Sequence, residues 1–416
     1  MLLILFSCNQ TEKTENSIPF EKLTSEYTGV NFSNNITPKL ESSENLFDYD
    51  YFYNGSGVGI ADINNDGLKD IIFTANQQEN KLYLNKGNLK FEDITESSNI
   101  NHNKGWSSGV TFADINNDGW LDIYISQGGP NKANNRKNLL LINNRDLTFS
   151  DMATEYGLDD EGISTQSAFF DFDKDGDLDC VVMNENEFYG YDPISFFEKY
   201  RDKSVLMANS SHLYEQIDGK FTNITEKAGL LSPTFGLGLC ISDINNDSWP
   251  DIYIANDYYV KDAMYINNQD GTFSNKIKES TKQISFYGMG VDIEDINRDN
   301  LNDIFVLDMA SSDHVRSKTL MASMNTSNFD LITNKLDQHY QYMFNSLQLN
   351  LGNNKYHNIS HQLDIAKTDW SWAGLIFDYN LDGNEDIFVT NGYRKYGSDN
   401  DSRIKINQTR KEYNNT

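Results

Sequence analysis

Asp62-Ile63-Asn64-Asn65-Asp66-Gly67-Leu68-Lys69-Asp70 decides how this 416-residue chain is read. Side-chain oxygens stand at its first, third, fifth and ninth positions, and a glycine stands at its sixth. Short Asx side chains at alternate positions converge only where the backbone turns tightly, and glycine supplies the positive φ of such a turn. Converging carboxylates repel and raise one another's pKa unless a cation sits among them. Calcium takes about six to eight oxygens from carboxylates and carbonyls, so the stretch predicts a calcium loop. Taken alone, an Asx-rich hairpin turn would explain it too.

Recurrence decides between them. The pattern returns at 114–122, 171–179, 243–251, 295–303 and 378–386, each time running into an apolar strand. In the first loop the predicted ligands are the side chains of Asp62, Asn64 and Asp66, the carbonyl of Leu68 and the closing carboxylate of Asp70. The second offers Asp114, Asn116, Asp118, Trp120 and Asp122. The third, with Asp171, Asp173, Asp175, Asp177 and Asp179, is the most acidic and is expected to bind tightest. The fourth uses Asp243, Asn245, Asp247, Trp249 and Asp251, with Ser248 in place of glycine. The fifth uses Asp295, Asn297, Asp299, Leu301 and Asp303, with Asn300 there. Asn tolerates left-handed backbone better than Ser, so the fourth is the expected weak site. The sixth uses Asp378, Asn380, Asp382, Asn384 and Asp386. Up to six calcium ions follow, in a structural role.

A period of about 50 residues makes one large repetitive domain, because a single unit is too small to bury a core. The second unit serves as the template. A strand over 109–114 enters the loop and one over 122–126 leaves it. A third spans 138–143 and a fourth 148–152. Four short strands rich in β-branched and aromatic residues, punctuated by Asn and Gly turns, make a propeller blade. Paired glycines at Gly57 and Gly59, Gly236 and Gly238, and Gly288 and Gly290 fit first strands crowded around a central axis. Residues 20–30 match the end of a unit. The sixth unit supplies strands at 387–390 and 403–407 but no fourth, so joining the two ends is expected to close the ring.

The formal charge of −28 excludes nucleic acid as a partner, and twenty aspartates of the six loops account for much of it. Cys180 and Cys240 sit in apolar strand-like runs and read as inert core thiols; no disulfide framework or zinc spacing is present. Residues 1–8 end in Leu5-Phe6-Ser7-Cys8 and read as a lipoprotein-type signal remnant lipidated at Cys8, shorter than the usual apolar region and without a basic start. Residues 9–19 read as a flexible tether, 20–407 as the propeller and 408–416 as a tail.

Val58-Gly-Ile-Ala-Asp-Ile-Asn-Asn-Asp-Gly67, Leu82-Tyr-Leu-Asn-Lys-Gly87 and Trp370-Ser-Trp372 resemble the FG-GAP/VCBS repeats of the integrin α-subunit propeller. They look closest to bacterial VCBS-repeat lipoproteins related to the cartilage-acidic-protein family. That resemblance implies an all-β fold, a β-propeller of four-stranded blades, six in number or seven as in integrin α. It also implies a bacterial cell-envelope location, anchored to the outer membrane or cell surface by lipid.

Two insertions follow second strands, at Asn184–Ser210 and Asp308–Tyr342, the latter a predicted helical excursion. The calcium loops join strands one and two, so these insertions belong on the opposite face. They are the expected contact surface for a protein or carbohydrate ligand, against the simpler reading of helices packed on the rim. No GxSxG, HExxH or phosphate-cradling loop appears, and the six histidines are scattered. The expected function is therefore non-catalytic cell-surface binding or adhesion. A polysaccharide lyase or glycosidase on the same scaffold, or a structural subunit of an envelope assembly, are the alternatives.

Overall fold

A computed structural model describes residues 20–39, 41–46, 48–101, 105–130, 135–319, 326–392, 405 and 408. The signal and tether at 1–19, Cys8 included, lie outside them, as does the tail apart from Gln408. Among the described residues, no helix is long and apolar enough to cross a membrane.

The chain is mostly β, arranged as a six-bladed β-propeller. Five blades are complete antiparallel meanders of four strands. Blade one runs Val58–Ala61, Asp70–Phe73, Lys81–Asn85 and Phe91–Asp93. Blade two begins at Ser107–Ala113, blade three at Ser164–Phe170, blade four at Gly236–Ser242 and blade five at Val291–Glu294. Blade six is described by Asp369–Phe377 and Asp386–Asn391, with the two-residue strand Met309–Ala310 pairing onto it from blade five's outgoing link. Of its expected third strand at 403–407 only Lys405 is described, in helical conformation.

The first strands are innermost, each touching the next in turn from blade one to blade six. Glycine is what permits this. A Cβ on Gly57 would stand 2.6 Å from the Ser108 carbonyl oxygen, and one on Gly238 would stand 2.8 Å from that of Met289. The second strands of blades two, three and four are covered on both faces, all six residues of Asp122–Gln127, Asp179–Asn184 and Asp251–Asn256 being buried. Their near-continuous apolar composition follows from that position.

Each pair of neighbouring blades shares its own apolar layer. Ile72, Leu82 and Leu84 of blade one meet Ile123, Ile125, Leu139 and Leu141 of blade two. Val181, Met183 and Leu213 of blade three meet Ile252, Ile254 and Tyr265 of blade four. Each such side chain contributes about 1.5–3 kcal/mol on burial, so a blade is held mainly by its neighbours.

The fourth strand of most blades runs into a single helical turn, as at Ala153–Tyr156. At the chain's start, Ser25–Thr28 is the same turn, capped by the Thr24 side chain and ended by Gly29 at φ 79°. Residues 20–23 before it carry no strand pairing, and the Phe20 ring lies 6.1 Å from that of Tyr379 in the sixth loop.

Candidate functional site

All six loops fold as copies of one geometry. The first carboxylate accepts the backbone N–H groups of the fifth and sixth residues: Asp62 from Asp66 (3.1 Å) and Gly67 (2.8 Å), and Asp378 from Asp382 (3.0 Å) and Gly383 (2.6 Å). The third side chain accepts from the fifth N–H, and the fifth carboxylate accepts from the seventh, as at Asn64–Asp66 and Asp66–Leu68. The sixth residue has positive φ in every copy, including Ser248 at 71° and Asn300 at 65°. So does the fourth: Asn65, Asn117, Lys174, Asn246, Arg298 and Leu381. Asn65, Asn117 and Asn246 favour that conformation, but Lys174, Arg298 and Leu381 at the same place do not, which hid the second left-handed residue from sequence reading. A serine held in this region costs about 1 kcal/mol or more against glycine. Ser248→Gly is therefore expected to stabilise the protein by about 1 kcal/mol, read as a higher urea midpoint at unchanged slope.

The ninth residue has a second role. Asp70, Asp122, Asp179, Asp251 and Asp303 are buried. One oxygen of each accepts the N–H of the second loop residue, at distances from 2.9 Å (Ile244) to 3.2 Å (Ile296). The other accepts the N–H at the end of the third strand: Asn85 at 2.7 Å, Asn143 at 2.8 Å, Gln216 at 2.9 Å, Asn267 at 2.7 Å and Asn350 at 2.7 Å. The closing aspartate thus ties its loop to its blade, and each oxygen keeps a lone pair for a cation. The asparagine ending the third strand is a tie that sequence reading missed. Asn143 donates 2.8 Å to the Ile63 carbonyl, and Asn267 donates 2.8 Å to that of Phe172, each reaching the preceding blade's loop. Its recurrence at Asn85, Asn143, Asn267 and Asn350 was the available signal.

The donor set fits calcium. In the third loop Asp171, Asp173 and Asp179 each place an oxygen within 4.8 Å of the others, and Oδ1 of Asp177 is buried without a hydrogen bond. In the other loops an asparagine or aspartate fills the first, third, fifth and ninth positions and the seventh offers its carbonyl, so every donor is a hard oxygen. Asp386 of the sixth loop has a buried Oδ2 without a hydrogen bond.

Burial, offset in part by those N–H groups and reinforced by neighbouring aspartates, raises the closing carboxylates: Asp122 and Asp303 to about 6, Asp179 and Asp251 to about 7. On the opposite face burial also lifts Glu185 to about 8, Asp257 and Asp262 to about 7, and Asp308 to about 6. These groups hold protons more tightly folded than unfolded, where carboxylates titrate near about 4. Their contribution is greatest at low pH and is lost as pH rises through about 6–8. In chelator the melting temperature is expected to fall between about pH 5.5 and 8.5. Millimolar calcium is expected to shrink that fall by competing for the loop carboxylates. An equal fall with and without calcium would contradict the loop assignment.

Both insertions lie on the face away from the loops, as the strand order requires. The first folds as two helices, Pro193–Lys199 and Lys203–Ala208, started by the Asp192 and Asp202 side chains. The second contains Arg316–Thr319, Thr326–Asp330 and the π turn Leu331–Lys335. They meet over blade four, where Phe196 and Ile332 share one cluster with Phe235, Tyr259 and Val260. Beside them the segment 48–53, which the sequence left unread, reaches blades three and four. Tyr49 donates to Glu185 (3.0 Å) and Tyr51 to Asp257 (2.9 Å). Asp50 accepts from Tyr258 (2.6 Å), and Tyr189 donates to the Asp48 carbonyl. With Phe52 and Trp106 these rings form an aromatic floor on that face. Tyr53, Tyr191 and Tyr340 are exposed.

A profile of FG-GAP-like repeats matches residues 51–125 and 243–306, which reach blades one, two, four and five. Cartilage acidic protein 1 of Xenopus tropicalis is 33% identical over 131 residues, covering 31% of this chain and 20% of that protein. The chain thus spans about a fifth of the length of the curated relative it matches. Among solved structures, an Agrocybe aegerita lectin studied for recognition of non-reducing terminal N-acetylglucosamine aligns at TM-score 0.43 and 16% identity, over 80% of this chain and 73% of its own. The V. cholerae biofilm matrix protein Bap1 aligns at TM-score 0.33 and 13% identity, over 62% and 35%. The chain is thus a six-bladed β-propeller that carries FG-GAP-like repeats over 51–125 and 243–306, with one loop geometry held in all six blades.

Proposed function

We propose that this propeller is a non-catalytic binding module of the bacterial cell surface, lipid-anchored through Cys8 and stiffened by calcium. It engages a protein or carbohydrate through the face opposite its loops. The observation that carries this reading is the aromatic surface there. Exposed Tyr53 packs on Phe52 of a floor formed with Tyr49, Tyr51, Trp106 and Tyr258, and exposed Tyr191 packs on Phe188 of the adjoining cluster where the two insertions meet. Rigid aromatic rings with polar tips stack on sugar faces or anchor protein contacts at low entropic cost. The metal's part is structural: bound by the first, third, fifth and ninth side chains and the seventh carbonyl, it would neutralise the carboxylates of each loop.

A non-catalytic role is supported by how the acids of that face are used. Glu185 and Asp257 are buried and engaged by tyrosine hydroxyls. A cavity of about 150 Å³ beside blade four is lined by Phe197, Tyr200, Lys261 and Gln338 among others, and by no carboxylate. Glycan and protein arrays probed with wild type and with Tyr191→Ala test the reading. A ligand lost or weakened at least tenfold in the variant supports it. A ligand bound with equal affinity by both, or release of cleaved polysaccharide, counts against it.

A further inference from the structure

The two insertions and blade four wall the cavity of about 150 Å³ on the face away from the loops. Its floor is buried and apolar: Leu230 of the link entering blade four, Ile254 of that blade's second strand and Tyr265 of its third. Phe197 and Leu206, from the two helices of the first insertion, line it with Lys261, and all three are half-buried, so the cavity opens to solvent beside them. Gln338 of the second insertion closes a further side. An apolar cavity of this volume holds one benzene-sized ring.

Lys261 gives the cavity its charge. The chain carries 62 acidic residues against 34 lysines and arginines, yet no acid lines this space. Asp337, whose charge reaches Lys261, is bonded to Lys278 instead. The Lys261 ammonium forms no ion pair or hydrogen bond with any described residue. Burial, then the positive charge of Lys278, lowers its pKa, as befits an ammonium without a counter-ion. Charges drawn out of water are ordinarily paired, because a partner offsets the lost hydration. The neighbouring polar side chains are already engaged. Gln338 accepts the backbone N–H of Lys261 at 3.1 Å and donates to the Leu336 carbonyl at 3.1 Å, and the Tyr200 hydroxyl donates to Asn186 at 2.9 Å. That leaves Lys261 to meet the charge of a ligand.

We propose that this cavity binds a small carboxylate built on one six-membered ring, its ring against Leu230, Ile254 and Tyr265 and its carboxylate on the Lys261 ammonium. Such an acid both fills the volume and supplies the missing counter-charge. The site is separate from the aromatic surface, because Tyr53, Tyr191 and Tyr340 do not line it. It holds whatever that surface binds.

Benzoate is the probe, titrated by calorimetry into the full chain in calcium. Acetate, which has the charge without the ring, and benzyl alcohol, which has the ring without the charge, are titrated beside it. Benzoate is expected to bind one to one with a Kd of about 1 mM or lower. Each of the other two is expected to bind about tenfold more weakly or worse. Lys261→Met keeps the length of the side chain and is expected to weaken benzoate about tenfold or more while leaving benzyl alcohol unchanged. Leu206→Trp fills the cavity from its half-buried side and is expected to abolish binding of both. An unchanged circular dichroism spectrum and melting temperature check that each variant folds. Benzoate that fails to bind, acetate or benzyl alcohol that matches it, or Lys261→Met that binds it as tightly as wild type overturns the proposal.

Discussion

Removing calcium is expected to lower the melting temperature by about 10 °C or more. At millimolar calcium and a Kd of about 10⁻⁴ M, each site adds about 1.4 kcal/mol, and six independent sites add roughly 8 kcal/mol. That is comparable to the whole stability of a typical domain, about 5–15 kcal/mol. For a chain of this size each kcal/mol moves the midpoint by roughly 1–2 °C, extrapolating from smaller domains. Scanning calorimetry with calcium and with chelator measures it directly, and coincident transitions would remove the structural role. The geometry sharpens the expectation: the loops' N–H groups already hold the backbone turn, so the metal's gain comes from relieving carboxylate repulsion rather than from creating the turn.

Asp251→Ala is expected to be the most damaging single change in a loop, and to remain so in chelator. It strands two N–H groups, those of Ile244 and Asn267, in a position closed to water. Each unsatisfied buried donor costs about 1–3 kcal/mol, so the sum is about 2–6 kcal/mol. Asp247→Ala in the same loop is the contrast. Its carboxylate accepts the N–H of Trp249 and an amide of Gln269 at half-buried or exposed sites where water can substitute. Its cost is expected to be under about 1 kcal/mol in chelator and to appear only with calcium present. Urea titrations of both variants with and without calcium give the four numbers needed. Equal losses in chelator would deny the ninth position its architectural role.

The loops were legible because their chemistry is local: four oxygens and a glycine within nine residues define the turn wherever it occurs. Strand content was legible because each blade repeats the same short runs of β-branched and aromatic residues between Asn and Gly turns, and the close approach at Gly57 and Gly238 follows from glycine where side chains would be expected. What escaped depends on distant partners. Nothing around Asp70 announces that both its oxygens serve backbone N–H groups, since one partner, Asn85, lies on the third strand. Nothing in 48–53 announces partners in blades three and four, because a tyrosine's hydroxyl carries no address. That Phe20 lies against Tyr379 of the sixth loop is a contact across nearly the whole chain, which no local pattern announces.

The tyrosine segment has a consequence for how the protein comes to be made. Tyr49 closes on a residue 136 positions later, Tyr51 on one 206 later, and Tyr258 reaches back 208 positions to Asp50. Each blade can form from neighbours in sequence, but the Tyr49 bond cannot exist until blade three has left the ribosome, nor the Tyr51 and Tyr258 bonds until blade four has. Contacts of such long separation close late, because the loop entropy must be met before they contribute. The N-terminal segment therefore waits, its aromatic rings unburied, while more than two hundred residues are synthesised. During that interval this face is open to whatever holds apolar chain, and its seating follows the folding of blades three and four.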